Sequence, residues 1–232
     1  MVQVNNQGKL NIRFKFRKKG SLQYISHLDL VRTMNKIIIR AKLPLWYTEG
    51  FNPKPKMVFA APLSIGTESC AEYMDIRLTE TIDPSEAMAR MNANMTDEMQ
   101  VVDAYYPKTK FTDLAWMTYT VKVSSPHLAD DTAAKCNAAL NAERVEVLKS
   151  TKSGEKTVDI RPLIRSADAT MDGDLLRITA VLSASPSDFL NPEYVIKVLR
   201  EQVGILTDPC LTNESYSIMR ERAHFADMTE FR

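Results

Sequence analysis

Leu10, Ile12, Phe14 and Phe16 alternate with Asn11, Arg13, Lys15 and Arg17, the two-residue period of a strand with one buried face. Ser26 then offers a helix cap with Asp29 three residues on, and Leu30, Val31, Met34, Ile37, Ile38 and Ala41 recur at helical spacing. Pro44 stops that run. Short extended stretches follow at Leu45 to Thr48, Met57 to Leu63 and Glu72 to Leu78. Asp83 as cap and Pro84 at the first helical position start a second helix that buries Ala87, Met88 and Met91. Gln100 to Tyr106 reads as a closing strand.

The later half repeats the order less clearly. Leu114 to Ser124 predicts a strand, Leu128 to Asn141 a helix, and Val145 to Thr151, Thr157 to Ile164 and Leu175 to Ser185 three strands. Asn191 and Pro192 open a helix carrying Tyr194, Val195, Val198, Leu199 and Val203, and Ser215 to Met219 gives a last strand. Two β-α-β-β-α-β passes define an α+β protein of tandem ferredoxin-like architecture with antiparallel sheets, divided into residues 1–109 and 110–232 around a junction near Pro107 to Asp113. A single continuous α+β domain is the alternative.

Composition narrows the class. A hydrophobic fraction of 44% with 25% charged residues is that of a globular protein, not a disordered tail. No apolar run approaches the roughly 20 residues that span a bilayer, and Met1 to Asn11 lacks the apolar core of a secretory signal. The expected setting is therefore the cytoplasm, without a membrane anchor. Cys70, Cys136 and Cys210 are odd in number and widely spaced, which argues against zinc ribbons, iron–sulfur sites and a disulfide framework. Neither metal nor cofactor is expected. Phosphate-cradling glycine loops, Gly-x-Ser-x-Gly elbows and His-Glu-x-x-His helices are all missing.

Charge is distributed unevenly. Twelve Lys and Arg lie before Met57 against only Asp29 and Glu49, while the other 176 residues carry 18 bases and 27 acids. The near-neutral total of +1 thus conceals a basic N-terminal region, interleaved with Tyr24, Trp46, Tyr47 and Phe51, of the kind that meets a polyanion. Asp29, Arg32, Lys36 and Arg40 fall on one stripe of the first helix, a basic ridge or simply a solvated face. Arg13, Lys15 and Arg17 share one side of the first strand, where they would also protect a sheet edge. Phe51-Asn52-Pro53-Lys54-Pro55-Lys56 forms a stiff extended loop, since each proline fixes its own φ and restricts the residue before it. Holding Lys54 and Lys56 in place lowers the entropy cost of engaging a ligand, and the flanking rings could stack on bases. His27 is the one candidate acid–base group, placed at a helix start beside Ser26 and Asp29; as a structural residue it would instead pack beside Val31. Arg161 and Arg165 flank Pro162 as a weaker second rim.

The runs Tyr24-Ile25-Ser26-His27-Leu28-Asp29-Leu30-Val31-Arg32, Ala41-Lys42-Leu43-Pro44-Leu45, Glu49-Gly50-Phe51-Asn52-Pro53-Lys54-Pro55-Lys56, Ala61-Pro62-Leu63-Ser64-Ile65-Gly66 and Glu72-Tyr73-Met74-Asp75 resemble the bacterial radical SAM-linked protein family. This is a domain of unknown function found beside or fused to radical S-adenosylmethionine proteins. The resemblance covers about residues 9 to 107 and is looser afterwards. It implies a radical SAM protein as partner and an RNA or ribosomal context, and it transfers no catalytic residue. Lacking the Cys-x-x-x-Cys-x-x-Cys of the radical enzyme, this chain would be the partner. The expectation is a non-catalytic RNA-binding accessory protein, with an RNA-cleaving or RNA-modifying enzyme using His27, or a protein adaptor, as the alternatives.

Overall fold

The computed structural model describes residues 10–151, 154–208 and 210–232. Lys9, counted above among the N-terminal bases, lies outside them. The chain divides into two compact units: residues up to Leu114 together with Glu230–Arg232, and Ala115–Thr229. Both are α+β, and every strand pair described within them is antiparallel.

In the first unit, β1 (Leu10–Lys18), α1 (His27–Arg40), β2 (Met57–Phe59), β3 (Thr67–Leu78), α2 (Pro84–Asn92) and β4 (Met99–Tyr105) follow one another. The strands order as β4-β1-β3, and β2 pairs with Met74, Asp75 and Ile76 of β3. The register places Phe14 opposite Met74 and Ile12 opposite Ile76. Alternation therefore sends Ile12, Phe14, Phe16, Met74 and Ile76 to one face, where Leu30, Met34, Ile37 and Ile38 of α1 and Ala87 and Met91 of α2 cover them. Each such large side chain contributes about 1.5–3 kcal/mol on burial. Both helices start as expected: the Ser26 hydroxyl accepts from Asp29 N at 3.1 Å and the Asp83 carboxylate from Glu86 N at 3.0 Å. Ser26→Ala should cost about 1 kcal/mol. An unchanged urea midpoint would show that the cap carries no weight.

The second unit runs β5 (Trp116–Ser124), α3 (Thr132–Leu140), β6 (Glu146–Thr151), β7 (Gly154–Asp159), β8 (Ile164–Asp172), β9 (Leu175–Ser183), α4 (Glu193–Val198) and β10 (Ser215–His224). Its strands order as β10-β5-β9-β8, while β6 and β7 form a separate two-stranded sheet among the described residues. The structure differs from the sequence pattern in four places. Leu45 to Thr48 makes only isolated bridges, Leu45 with Leu78 and Tyr47 with Pro55. The segment after Phe59 leaves the sheet. β8 was not predicted, and its alternation is broken by a register shift between Ile164 and Ser166. The last helix passes into a π turn at Leu199–Val203 and stops at Gly204, whose φ of 81° favours a residue without Cβ.

Candidate nucleic-acid interface

After α1 the chain folds into a hairpin-like loop on the edge of β3. Trp46 N donates to Arg77 O at 3.0 Å, Lys56 N to Trp46 O at 3.1 Å and Thr48 N to Lys54 O at 2.9 Å, while Lys54 N donates to the Thr48 hydroxyl at 3.1 Å. The arms 45–48 and 54–56 are thereby tied together. Pro55 faces Tyr47 and Pro53 stiffens the tip, so the loop is held from within. Phe51 at this tip is fully exposed, and Tyr47, Asn52, Lys54 and Lys56 are exposed beside it. Trp46 takes another role. It is half-buried under the Arg77 guanidinium, 4.7 Å from the ring centroid, and so supports the loop instead of offering a free face.

On α1 the stripe splits in two. Arg32 pairs with Asp29 at 3.2 Å, and the Ser26 hydroxyl together with Arg32 holds the Asp29 carboxyl below the ordinary aspartate range. Lys36 and Arg40 stay exposed, and among the described residues no carboxylate pairs with them or with Lys42, Lys54 or Lys56. Arg40 lies in a shallow groove between the ends of α1 and α2 that also takes in Lys42, Arg90 and Asn94. Sequence reasoning passed over Arg90 because, four residues after Glu86, it reads as an ordinary helix-surface pair. Lys42 had one overlooked signal: it follows the helix end at a position that usually demands glycine.

The first strand corrects the expected row of cations. Arg13 is completely buried on the sheet face away from the helices, bonded through Nε and Nη2 to both Asp75 oxygens at 2.7 and 2.9 Å and lying 4.3 and 5.0 Å from the Phe111 and Phe231 ring centroids. It is a structural residue, out of reach of a ligand. Burial raises the Asp75 carboxyl above the ordinary range while Arg13 opposes that shift. Lys15 pairs with Glu230 at 2.6 Å, and Arg17 donates to Asp97 O at 3.3 Å. The N-terminal bases therefore do not merge into one cradle, because carboxylates distant in sequence neutralise Arg13 and Lys15.

His27 is exposed, its ring 5.4 Å from Phe59 in an edge arrangement. The Asp29 carboxylate is taken by Ser26 and Arg32, so it does not orient the imidazole. In the second unit Arg161 donates to Ile164 O at 2.5 Å and Arg165 lies 5.5 Å from the Trp116 ring centroid. Among the described residues no disulfide joins Cys70, Cys136 and Cys210, and burial pushes the Cys136 thiol up to about 11. Among the described residues no group of three or more His, Cys, Asp or Glu gathers to hold a metal, and no helix is long and apolar enough to cross a membrane.

The profile of a bacterial family described as "Uncharacterized protein conserved in bacteria (DUF2344)" matches residues 11–192. The chain belongs to this family. The match spans most of both units, and the DUF2344 description names neither an activity nor a radical enzyme. No curated protein matches the sequence. Among solved structures, a chain of "a Cbf5-Nop10-Gar1 Complex" aligns at a TM-score of 0.47 and 9% identity over 90% of this chain and 49% of that one. This DUF2344 protein thus spans about half the length of that chain. "An Unknown Protein from Galdieria sulphuraria" aligns at 0.25 and 10% identity over 91% and 98%. At these scores neither likeness bears on fold or function.

Proposed function

We propose that this DUF2344 protein is a non-catalytic RNA-binding accessory protein, acting in the cytoplasm beside a radical S-adenosylmethionine enzyme in RNA or ribosome maturation. The observation that carries the RNA reading is the braced loop that holds a bare Phe51 together with Tyr47, Lys54 and Lys56. An aromatic face beside fixed cations suits a single-stranded segment, whose bases stack while its phosphates find charge. Lys36 and Arg40 on α1 and Lys42 just past its end are further exposed cations. The radical SAM partner rests on the sequence resemblance alone. The strand orders β4-β1-β3-β2 and β10-β5-β9-β8 support a finer reading of each unit as ferredoxin-like, since both place the first strand between the fourth and the third.

Filter binding of an unstructured oligoribonucleotide across rising salt tests the proposal. The affinity should fall steeply with ionic strength. Phe51→Ala should remove about 1–3 kcal/mol, a loss of roughly fivefold to 150-fold, without changing the salt slope. Lys54→Gln should lower that slope by about 0.7. RNA affinity indifferent to salt and to both substitutions would refute the reading. Co-purification with the radical enzyme that survives nuclease treatment, in a protein that shows no RNA affinity, would mark a protein adaptor instead.

A further inference from the structure

We infer that the groove between the ends of α1 and α2 binds a nucleoside 5′-phosphate, either free or at the end of an RNA chain; the second source rests on the RNA-binding reading above. Two hollows, of about 310 Å³ and 170 Å³, meet there and share Arg40 and Asn94. Together they reach the size of a small-molecule site, which starts near 300 Å³, and they differ in chemistry. The larger is walled by Arg40, Lys42 and Arg90, with two alanines and Asn94 beside them. The smaller has an apolar floor of Leu22, Ile37, Met95 and Met99, with Thr33 and Thr96 among its polar groups. The cationic half suits a phosphate, and the apolar half a flat ring whose edge meets hydroxyls and an amide.

The charge balance favours a dianion. Lys36, Arg40, Lys42 and Arg90 bring four positive charges to the two hollows. Glu86, bonded to Arg90, removes one, and the two helix C-termini remove about half a charge each. About two positive charges remain, against roughly −1.5 to −2 on a phosphomonoester at neutral pH.

One of these cations, Arg90, is also fixed in advance. One arm of Arg90 is held by Glu86, and Nη1 donates to the Lys42 carbonyl at 3.1 Å, which lowers the entropy lost on binding. Lys42 stands at φ 51°, just past the Ala41 cap, where glycine would be free of strain. A non-glycine residue there is strained, and Lys42 lines the larger hollow.

Fluorescence anisotropy of one decaribonucleotide carrying either a 5′-phosphate or a 5′-hydroxyl, with calorimetry of AMP, tests the site. At least tenfold tighter binding of the 5′-phosphate form marks an RNA end as the source. AMP binding without any preference between the two oligomers marks a free nucleotide. In either case Lys42→Gly, which relieves the strained φ and keeps the fold, and Arg40→Gln should abolish the effect, while Lys122→Gln, at an exposed position of the second unit, should leave it intact. Equal affinity for the two oligomers together with no AMP binding overturns the inference, as does an effect indifferent to both groove variants. The RNA-binding reading is judged separately, by whether the 5′-hydroxyl oligomer binds at all.

Discussion

Arg13→Ala should destabilise the first unit by about 3–5 kcal/mol, the usual cost of stripping one partner from a buried ion pair. Arg13 has no exposed surface, and its guanidinium holds both oxygens of Asp75, the Thr109 hydroxyl at 3.0 Å and the Thr109 carbonyl at 3.1 Å. Truncation leaves Asp75 at 16% side-chain exposure without its counter-charge and opens a gap between Phe111 and Phe231. The pH dependence follows from the sign of the Asp75 shift. Its folded pKa lies above the ordinary 3.8 because burial disfavours the anion, so between those two values the folded state holds more protons than the unfolded one. Stability from this group is full below 3.8 and is lost as pH rises through the folded value.

Without Arg13 the folded value climbs further, so the variant should lose more stability toward neutral pH and regain part of it in acid. Replacing the pair together, as Arg13→Met with Asp75→Leu, should recover most of the loss, because a buried pair is often no better than apolar residues of similar size. Urea unfolding at several pH values reads all three. An Arg13→Ala cost below about 1 kcal/mol with no pH dependence would mean that Asp75 is solvated and that the pair holds nothing together.

The same ion pair shows where the sequence is readable and where it is not. Local periods and caps predict β1, α1 and α2 because the information lies within a few residues: Phe14 and Phe16 alternate, and Ser26 and Asp83 sit one position before their helices. β8 escapes because its buried face is built from Ala167 and Ala169, too small to stand out as an apolar stripe, and because a bulge shifts the period. The charge count before Met57 says nothing about partners. Asp75 lies 62 residues from Arg13, and Glu230 lies 215 residues from Lys15, so only the fold reveals that these bases are neutralised. The Phe51 loop was readable because two prolines impose their geometry locally. The groove was not, since it needs the end of α1 beside the end of α2, and its lysine owes its meaning to a backbone angle.

Changing Lys36, Arg40 and Lys42 together to glutamine should weaken RNA binding by about 100-fold near 0.1 M salt. On a single strand each phosphate contact adds about 0.7 to the logarithmic salt slope, so each is worth about fivefold at that ionic strength. The slope itself should fall by about 2. The decisive comparison is with Lys122, Lys149 and Lys156, three exposed cations of the second unit, changed to glutamine in the same way. Both variants alter net charge equally, and with a screening length of about 10 Å only charges within reach of the phosphates count. The second triple should therefore leave affinity within about twofold of the parent. If the two triples weaken binding alike, attraction comes from charge spread over the molecule and the α1 surface has no special role; if neither does, Lys36, Arg40 and Lys42 touch no phosphate.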